Sequence, residues 1–167
     1  MANENKFLKL IRHPVKFRMF LFWKIPAAFL SGVRVRYIDE EKSVVGIPFK
    51  WFNQNPFRST YFACLSMAAE MSTGVLAMTW VHKRIPPISM LVTKVDGDFM
   101  KKATGLVLFT CEQGREFKEA IDRAAATGIP QMITARSIGK NKNGEVVAEF
   151  KINWSFKVKA DKVEIKS

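Results

Sequence analysis

The sequence predicts an α+β domain in which a curved antiparallel sheet of about six strands wraps a long central helix, preceded by a helical extension. Three observations carry this reading. Residues 57–81 are apolar in nearly every direction and lie between Asn55-Pro56 and Pro86-Pro87, and a helix apolar all round belongs inside a fold. Residues 146–158 set Val146, Ala148, Phe150, Ile152, Trp154, Phe156 and Val158 at every second position, the period of a half-buried strand. Shorter strand-like segments bounded by turn residues occupy most of the remaining chain.

The extension, residues 1–32, places Phe7, Leu8, Ile11 and Val15 at helical spacing with Lys6, Lys9, Arg12 and Lys16 between them. Pro14 and Pro26 divide it into short pieces. Two readings stand: a helix packed over one end of the domain, or a basic amphipathic segment making weak contact with a membrane surface. Residues 17–32 are apolar, but Lys24 and Pro26 interrupt them, well short of the roughly 20 residues that a span requires.

The domain proper is expected over residues 33–167. Residues 33–39 and 43–50 read as two strands around the turn Asp39-Glu40-Glu41-Lys42, the first alternating Val33, Val35 and Tyr37 with Arg34 and Arg36. Asn55 can cap free backbone N–H groups and Pro56 suits the first helical position, so the long helix is expected from about residue 57. Residues 88–95 and 103–111 read as strands around the turn-like Asp96-Gly97-Asp98. Residues 116–126 form a short helix with Phe117, Ile121 and Ala125 on one side, closed by Gly128 and Pro130. Residues 131–138 are a strand, joined by the Asn143-Gly144 hairpin signal to the long last strand.

Composition narrows the function classes. With 48% hydrophobic and 25% charged residues the chain folds into a globule. Cys64 and Cys111 lie in apolar segments without paired spacing, which points to free core thiols and a cytoplasmic protein. No CxxC or HxxxH pattern occurs, so neither metal nor other cofactor is expected. The 27 Lys and Arg against 15 Asp and Glu give a formal charge of +12, which suits an anionic partner. Nucleic acid is not the expected one, because most aromatics fall at core positions and no basic-aromatic motif appears. His82, near the helix end, reads as a partly exposed residue favoured by the helix dipole.

One acid interrupts the long apolar helix, and its direction matters. At about 100° per residue, Ser59, Ala63, Ser66, Thr73, Gly74 and Ala77 cluster around Glu70. The bulky Phe62, Leu65, Met67, Met71, Val75, Leu76 and Met78 point elsewhere. Glu70 thus lies in a stripe of small residues, where something can approach the backbone closely. It either pairs with an arginine at the rim or sits at the bottom of a cleft, where burial would suit it to general-base work.

Residues 59–77, STYFACLSMAAEMSTGVLA, and residues 88–109, ISMLVTKVDGDFMKKATGLVLF, resemble the hot-dog superfamily of acyl-CoA thioesterases. The similarity is greatest to an uncharacterised thioesterase-like branch known as a domain of unknown function. The second segment carries the superfamily pattern of a Phe, basic or proline residues, then Ala and Gly, here Phe99, Lys101, Lys102, Ala103 and Gly105. The resemblance implies a hot-dog fold and a homodimer or dimer of dimers with sites between subunits. It implies that Glu70 is the helix-borne general base and that Asn55 contacts substrate. Backbone N–H groups around Arg58, Ser59, Thr60 and Tyr61 would polarise the thioester carbonyl. Where phenylacetyl-CoA-type thioesterases have His-Gly-Gly at the helix entrance, this chain has Arg58-Ser59-Thr60, and the uncharacterised branch also lacks the glycine pair.

The expected function is hydrolysis of an acyl-CoA or acyl-carrier thioester. Arg58, Lys101 and Lys102 would meet the CoA phosphates, and Met67, Met71 and Met78 would line the acyl chain. The alternative is a non-catalytic acyl or lipid binder of the same fold, resting on a membrane surface.

Overall fold

Pro14 and Pro26 each open a helix, because a proline's missing N–H costs nothing in the first turn. In the computed structural model, which describes residues 6–159, the extension accordingly forms α1 (Lys6–Arg12), α2 (Pro14–Lys24) and α3 (Pro26–Ser31). His13 caps α2, its Nδ1 accepting from the Lys16 amide at 3.4 Å. Gly32, at φ 78°, ends α3 in the left-handed conformation.

The domain follows as β1 (Arg34–Ile38), β2 (Ser43–Ile47), a single 3-10 turn (Trp51–Asn53), α4 (Phe62–Val81), β3 (Ile88–Phe99), β4 (Val107–Cys111), α5 (Gly114–Thr127), β5 (Gln131–Lys140) and β6 (Val146–Val158). The six strands form one antiparallel sheet in the order β1-β2-β4-β5-β6-β3. A long helix against a curved antiparallel sheet is the arrangement implied by the hot-dog resemblance. Buried Val45, Phe109, Ala135, Phe150, Ile152 and Phe156 of the sheet share one core with Leu65, Ala69 and Leu76 of α4. Phe117 and Ile121 of α5 belong to it, as do Phe7, Leu21 and Ala28 of the extension.

Hydroxyls fix α4 on the sheet. Ser72 Oγ lies 2.7 Å from Ser137 Oγ of β5, and Ser43 Oγ of β2 donates to the Ser72 carbonyl. Trp154 Nε1 of β6 donates to Thr73 Oγ1 at 2.9 Å. Each of these hydroxyls thereby finds a partner, which lets the helix keep them inside an apolar core.

Several boundaries differ from the sequence reading for local reasons. The helix starts at Phe62 instead of residue 57, because Asn55 caps a turn and not the helix: its Oδ1 accepts from the Phe57 and Ser59 amides at 2.9 and 3.2 Å. Asp96-Gly97-Asp98 is not a turn. It continues β3 to Phe99, pairing Asp96 with Lys151, Gly97 with Phe150 and Asp98 with Glu149. Gly97 is needed for packing, since a Cβ there would come within 2.7 Å of the Phe150 ring. The following strand starts at Val107, not 103, while α5 and β5 run longer than expected. His82 is half-buried and stacks on Phe7 at 5.1 Å; desolvation, aided by Lys83, lowers its pKa.

Of the glycines, Gly114 makes the tightest approach, where α5 meets the β1–β2 turn. Gly114 N–H donates to the Glu41 carbonyl at 3.0 Å, and a Cβ on Gly114 would fall 1.9 Å from the Glu40 oxygen. Gly114→Ala must displace backbone and is expected to cost at least about 1–3 kcal/mol. Urea unfolding checks this; an unchanged midpoint would show that α5 does not sit this close.

Candidate functional site

The chain between the 3-10 turn and α4 is folded by its own polar groups. Asn55 Nδ2 donates to Ser59 Oγ at 3.0 Å, and the Asn55 and Arg58 amides donate to the Ser59 and Asn55 carbonyls. This tight turn holds Arg58 at φ 57°. Thr60 then docks on the 100–106 connection: its N–H and Oγ1 both donate to the Ala103 carbonyl, at 2.8 and 3.2 Å. The Tyr61 amide donates to the Asn53 carbonyl at 2.8 Å.

This geometry corrects the expected set of carbonyl-polarising donors. The N–H groups of Arg58, Ser59, Thr60 and Tyr61 are all spent inside the chain. The first helical amides without an acceptor among the described residues are those of Phe62 and Ala63, since Cys64 and Leu65 already donate to the Tyr61 carbonyl. Sequence reasoning missed them because it started the helix a turn too early.

A cavity of about 800 Å³ opens at this helix start, lined by Asn55, Ser59, Thr60, Tyr61, Lys101 and Lys102 among polar residues. Its apolar wall is Phe57, Phe62, Leu65, Phe99 and Met100. Phe62 stacks edge-on against Phe99 with ring centroids 6.2 Å apart, tying α4 to the end of β3. Hence two sequence segments far apart in the chain, 55–65 and 99–103, form one site.

Other expected residues lie elsewhere. Arg58 is exposed and outside the cavity lining. Lys101 reaches the cavity with its ammonium paired to Glu145, whereas Lys102 has no ion-pair partner among the described residues. Met71 is buried in the core, and Met67 and Met78 pack against it half-buried, so the cavity's apolar wall is built from Phe57, Phe62, Leu65, Phe99 and Met100 and not from these methionines. Asn55 lines the cavity, yet its carboxamide is occupied in holding the turn.

Glu70 lies about 12 Å further along α4 than Phe62, at 1.5 Å per residue, and does not line this cavity. The small-residue stripe has a use within the chain: the Trp154 indole fills the space beside Gly74, where a Cβ would sit 3.4 Å from the ring and 3.2 Å from Glu70 Oε1. Glu70 itself is half-buried, with no hydrogen-bond or ion-pair partner among the described residues. Burial alone pushes its pKa up. Thus the rim arginine considered from sequence is not there. Among the described residues no cluster of His, Cys, Asp and Glu could hold a metal. Burial also drives the Cys111 thiol up to about 11, which leaves it an inert core group.

Comparison with known proteins agrees with this architecture. Residues 16–156 match the family described as Domain of unknown function (DUF4442). No curated protein matches the sequence significantly. Among solved structures, a Pseudomonas aeruginosa protein of unknown function, described as a "Probable Thioesterase", superposes with TM-score 0.74 at 20% identity, covering 87% of this chain and 97% of its own. A Chlorobaculum tepidum protein of unknown function gives 0.71 at 14% identity over 87% and 94%. A Haemophilus influenzae thioesterase gives 0.67 at 8% identity over 89% and 93%. The fold is therefore the hot-dog fold.

The raised Glu70 pKa carries a signed consequence for stability. A carboxyl that binds its proton more tightly when folded contributes stability fully below its unfolded pKa and loses it as pH rises through the folded value. Glu70→Gln should therefore stabilise the fold at neutral pH, with the gain vanishing in acid. Urea midpoints of both proteins across pH test this, and a gain independent of pH would remove the burial account.

Proposed function

We propose that this chain, which belongs to the DUF4442 family, hydrolyses the thioester of an acyl-CoA or an acylated carrier protein. One observation supports this above others. A half-buried, unpartnered carboxylate lies on the same helix whose first amides, unpartnered among the described residues, open beside an apolar cavity.

The chemistry follows from these groups. Glu70 takes a proton from a water molecule, which attacks the thioester carbon. The carbonyl oxygen becomes an oxyanion received by the Phe62 and Ala63 N–H groups, where a helix N-terminus favours negative charge. Collapse breaks the C–S bond, and the proton held by Glu70 passes to the departing thiolate. Phe57, Phe62, Leu65 and Phe99 accept the acyl chain, and Lys102 meets a phosphate of the carrier group.

The separation of Glu70 from the donors calls for a second copy. β3 is an edge strand of twelve residues with Leu91, Val95 and Phe99 exposed, a surface that ordinarily requires covering. Phe99 marks the helix start, while Val92, paired with Trp154, marks the level of Glu70. A twofold axis near the middle of β3 reverses this order, so the partner's helix start comes alongside this chain's Glu70. The proposed unit is thus a homodimer with two shared sites. Light scattering should give a dimer that Val95→Lys weakens; a wild-type monomer at micromolar concentration would sink this part.

Release of free thiol from a panel of acyl-CoAs tests the activity. Wild type should turn over at least one chain length, and Glu70→Gln should lower kcat by about 10²–10⁴-fold. The acid limb of the wild-type rate should lie at higher pH than an ordinary glutamate would give, since the base must be ionised. Saturable acyl-CoA binding without turnover at any chain length would overturn hydrolysis in favour of a non-catalytic acyl binder.

A further inference from the structure

Helix α2 is apolar on two sides, and the fold covers only one. At about 100° per residue, buried Phe17 and Leu21 face the core. On the opposite side Val15, Met19, Phe22 and Trp23, at positions i, i+4, i+7 and i+8, remain exposed, Trp23 by 73%. Lys16 and Arg18 flank that exposed face by the same wheel.

The exposed surface continues past α2. Leu30 of α3 is 50% exposed, and its carbonyl accepts from Lys50 Nζ at 2.5 Å. That ammonium also lies 6.0 Å from the ring centre of Phe52. Beside Phe52, Trp51 is 81% exposed. Two tryptophans, two phenylalanines, a methionine and two aliphatic residues in water form the kind of surface that soluble monomers rarely leave open.

Charge says what should cover it. No Asp or Glu occurs from Lys6 through Ile38, and the ammonium groups of Lys16 and Lys24 meet no carboxylate among the described residues. A second copy seated here would bring like charges together, whereas an anionic bilayer supplies the opposite sign. Exposed tryptophans beside lysines also match the headgroup layer, where an amphipathic ring is half in hydrocarbon and half in water. None of the described helices of the extension is long and apolar enough to cross a bilayer: the one that is by composition is α4, and 67% of its apolar window is inside the fold.

We propose that the exposed face of α2, the end of α3 and the Trp51–Asn53 turn dock on an anionic lipid surface, with Phe22, Trp23, Leu30, Trp51 and Phe52 entering the headgroup layer and Lys16 and Lys50 meeting lipid phosphates. The combination supplies both signals that stable peripheral binding needs, an apolar insertion and a basic patch. The turn is directly joined to the cavity wall through the Tyr61-to-Asn53 hydrogen bond. The docked surface thus borders the cavity. This inference does not depend on thioester hydrolysis.

Flotation of the full chain with phosphatidylcholine vesicles, with and without phosphatidylglycerol, tests it. The chain should float with the anionic vesicles, more weakly at high salt, and brominated lipid should quench its tryptophan fluorescence. Because these side chains are exposed, Trp23→Ser with Trp51→Ser should leave the thermal midpoint unchanged and weaken partitioning by about ten- to a hundredfold. Lys16→Glu should weaken the preference for anionic vesicles. Absence of flotation by folded wild type, or equal partitioning of the tryptophan variant, overturns the proposal. A changed oligomeric state in that variant, with no vesicle binding by wild type, would assign the patch to a protein contact. Hydrolysis of soluble acyl-CoA is scored separately, so failure of one reading leaves the other distinguishable.

Discussion

Burial of α4 is the constraint from which most of the structure follows. A twenty-residue helix with apolar side chains in all directions cannot present any long face to water. The sheet curls over it, α5 closes against it, and the extension packs its own apolar residues into the same core. Apolar contact alone would let such a helix slide or rotate. The hydroxyl links through Ser43, Ser72, Ser137, Thr73 and Trp154 remove that freedom, because each would leave a buried polar group unpaired if the register changed.

The same constraint explains where the chemistry can be. A helix covered over most of its length still has two kinds of opening: its first turn, where backbone amides lack partners, and the half-covered strip that carries Glu70. The Phe62 and Ala63 amides lie at the first opening and Glu70 at the second. The small residues around Glu70 serve two purposes along one stripe. Towards the helix end, Gly74 admits the Trp154 ring; towards its start, Ala63 and Ser66 remain only half-covered. In the proposed dimer a second copy completes what one chain leaves open.

Much of the fold was legible in one dimension. The period of two over residues 146–158 gave β6 its limits, and Phe150, Ile152, Trp154 and Phe156 are buried as that period requires. The long helix was legible from composition, but its start was not, because Asn55-Pro56 has the same local preference in an Asx turn as at a helix cap. Asp96-Gly97-Asp98 misled in the same way. Its turn preference is real, and pairing along β6 together with the Phe150 ring over Gly97 outweighs it.

The sequence by itself determined the class of fold, the burial of one helix and the isolation of one carboxylate upon it, since period and composition act over neighbouring residues. Tertiary structure decided which groups are free to act. It consumed the amides of Ser59, Thr60 and Tyr61 and released those of Phe62 and Ala63. It gathered Phe57, Phe62 and Phe99 into one cavity and kept Met71 in the core. The physical reason is that a hydrogen bond or a buried contact needs a partner, and residues such as Thr60 and Ala103 meet only when the sheet and helix have closed.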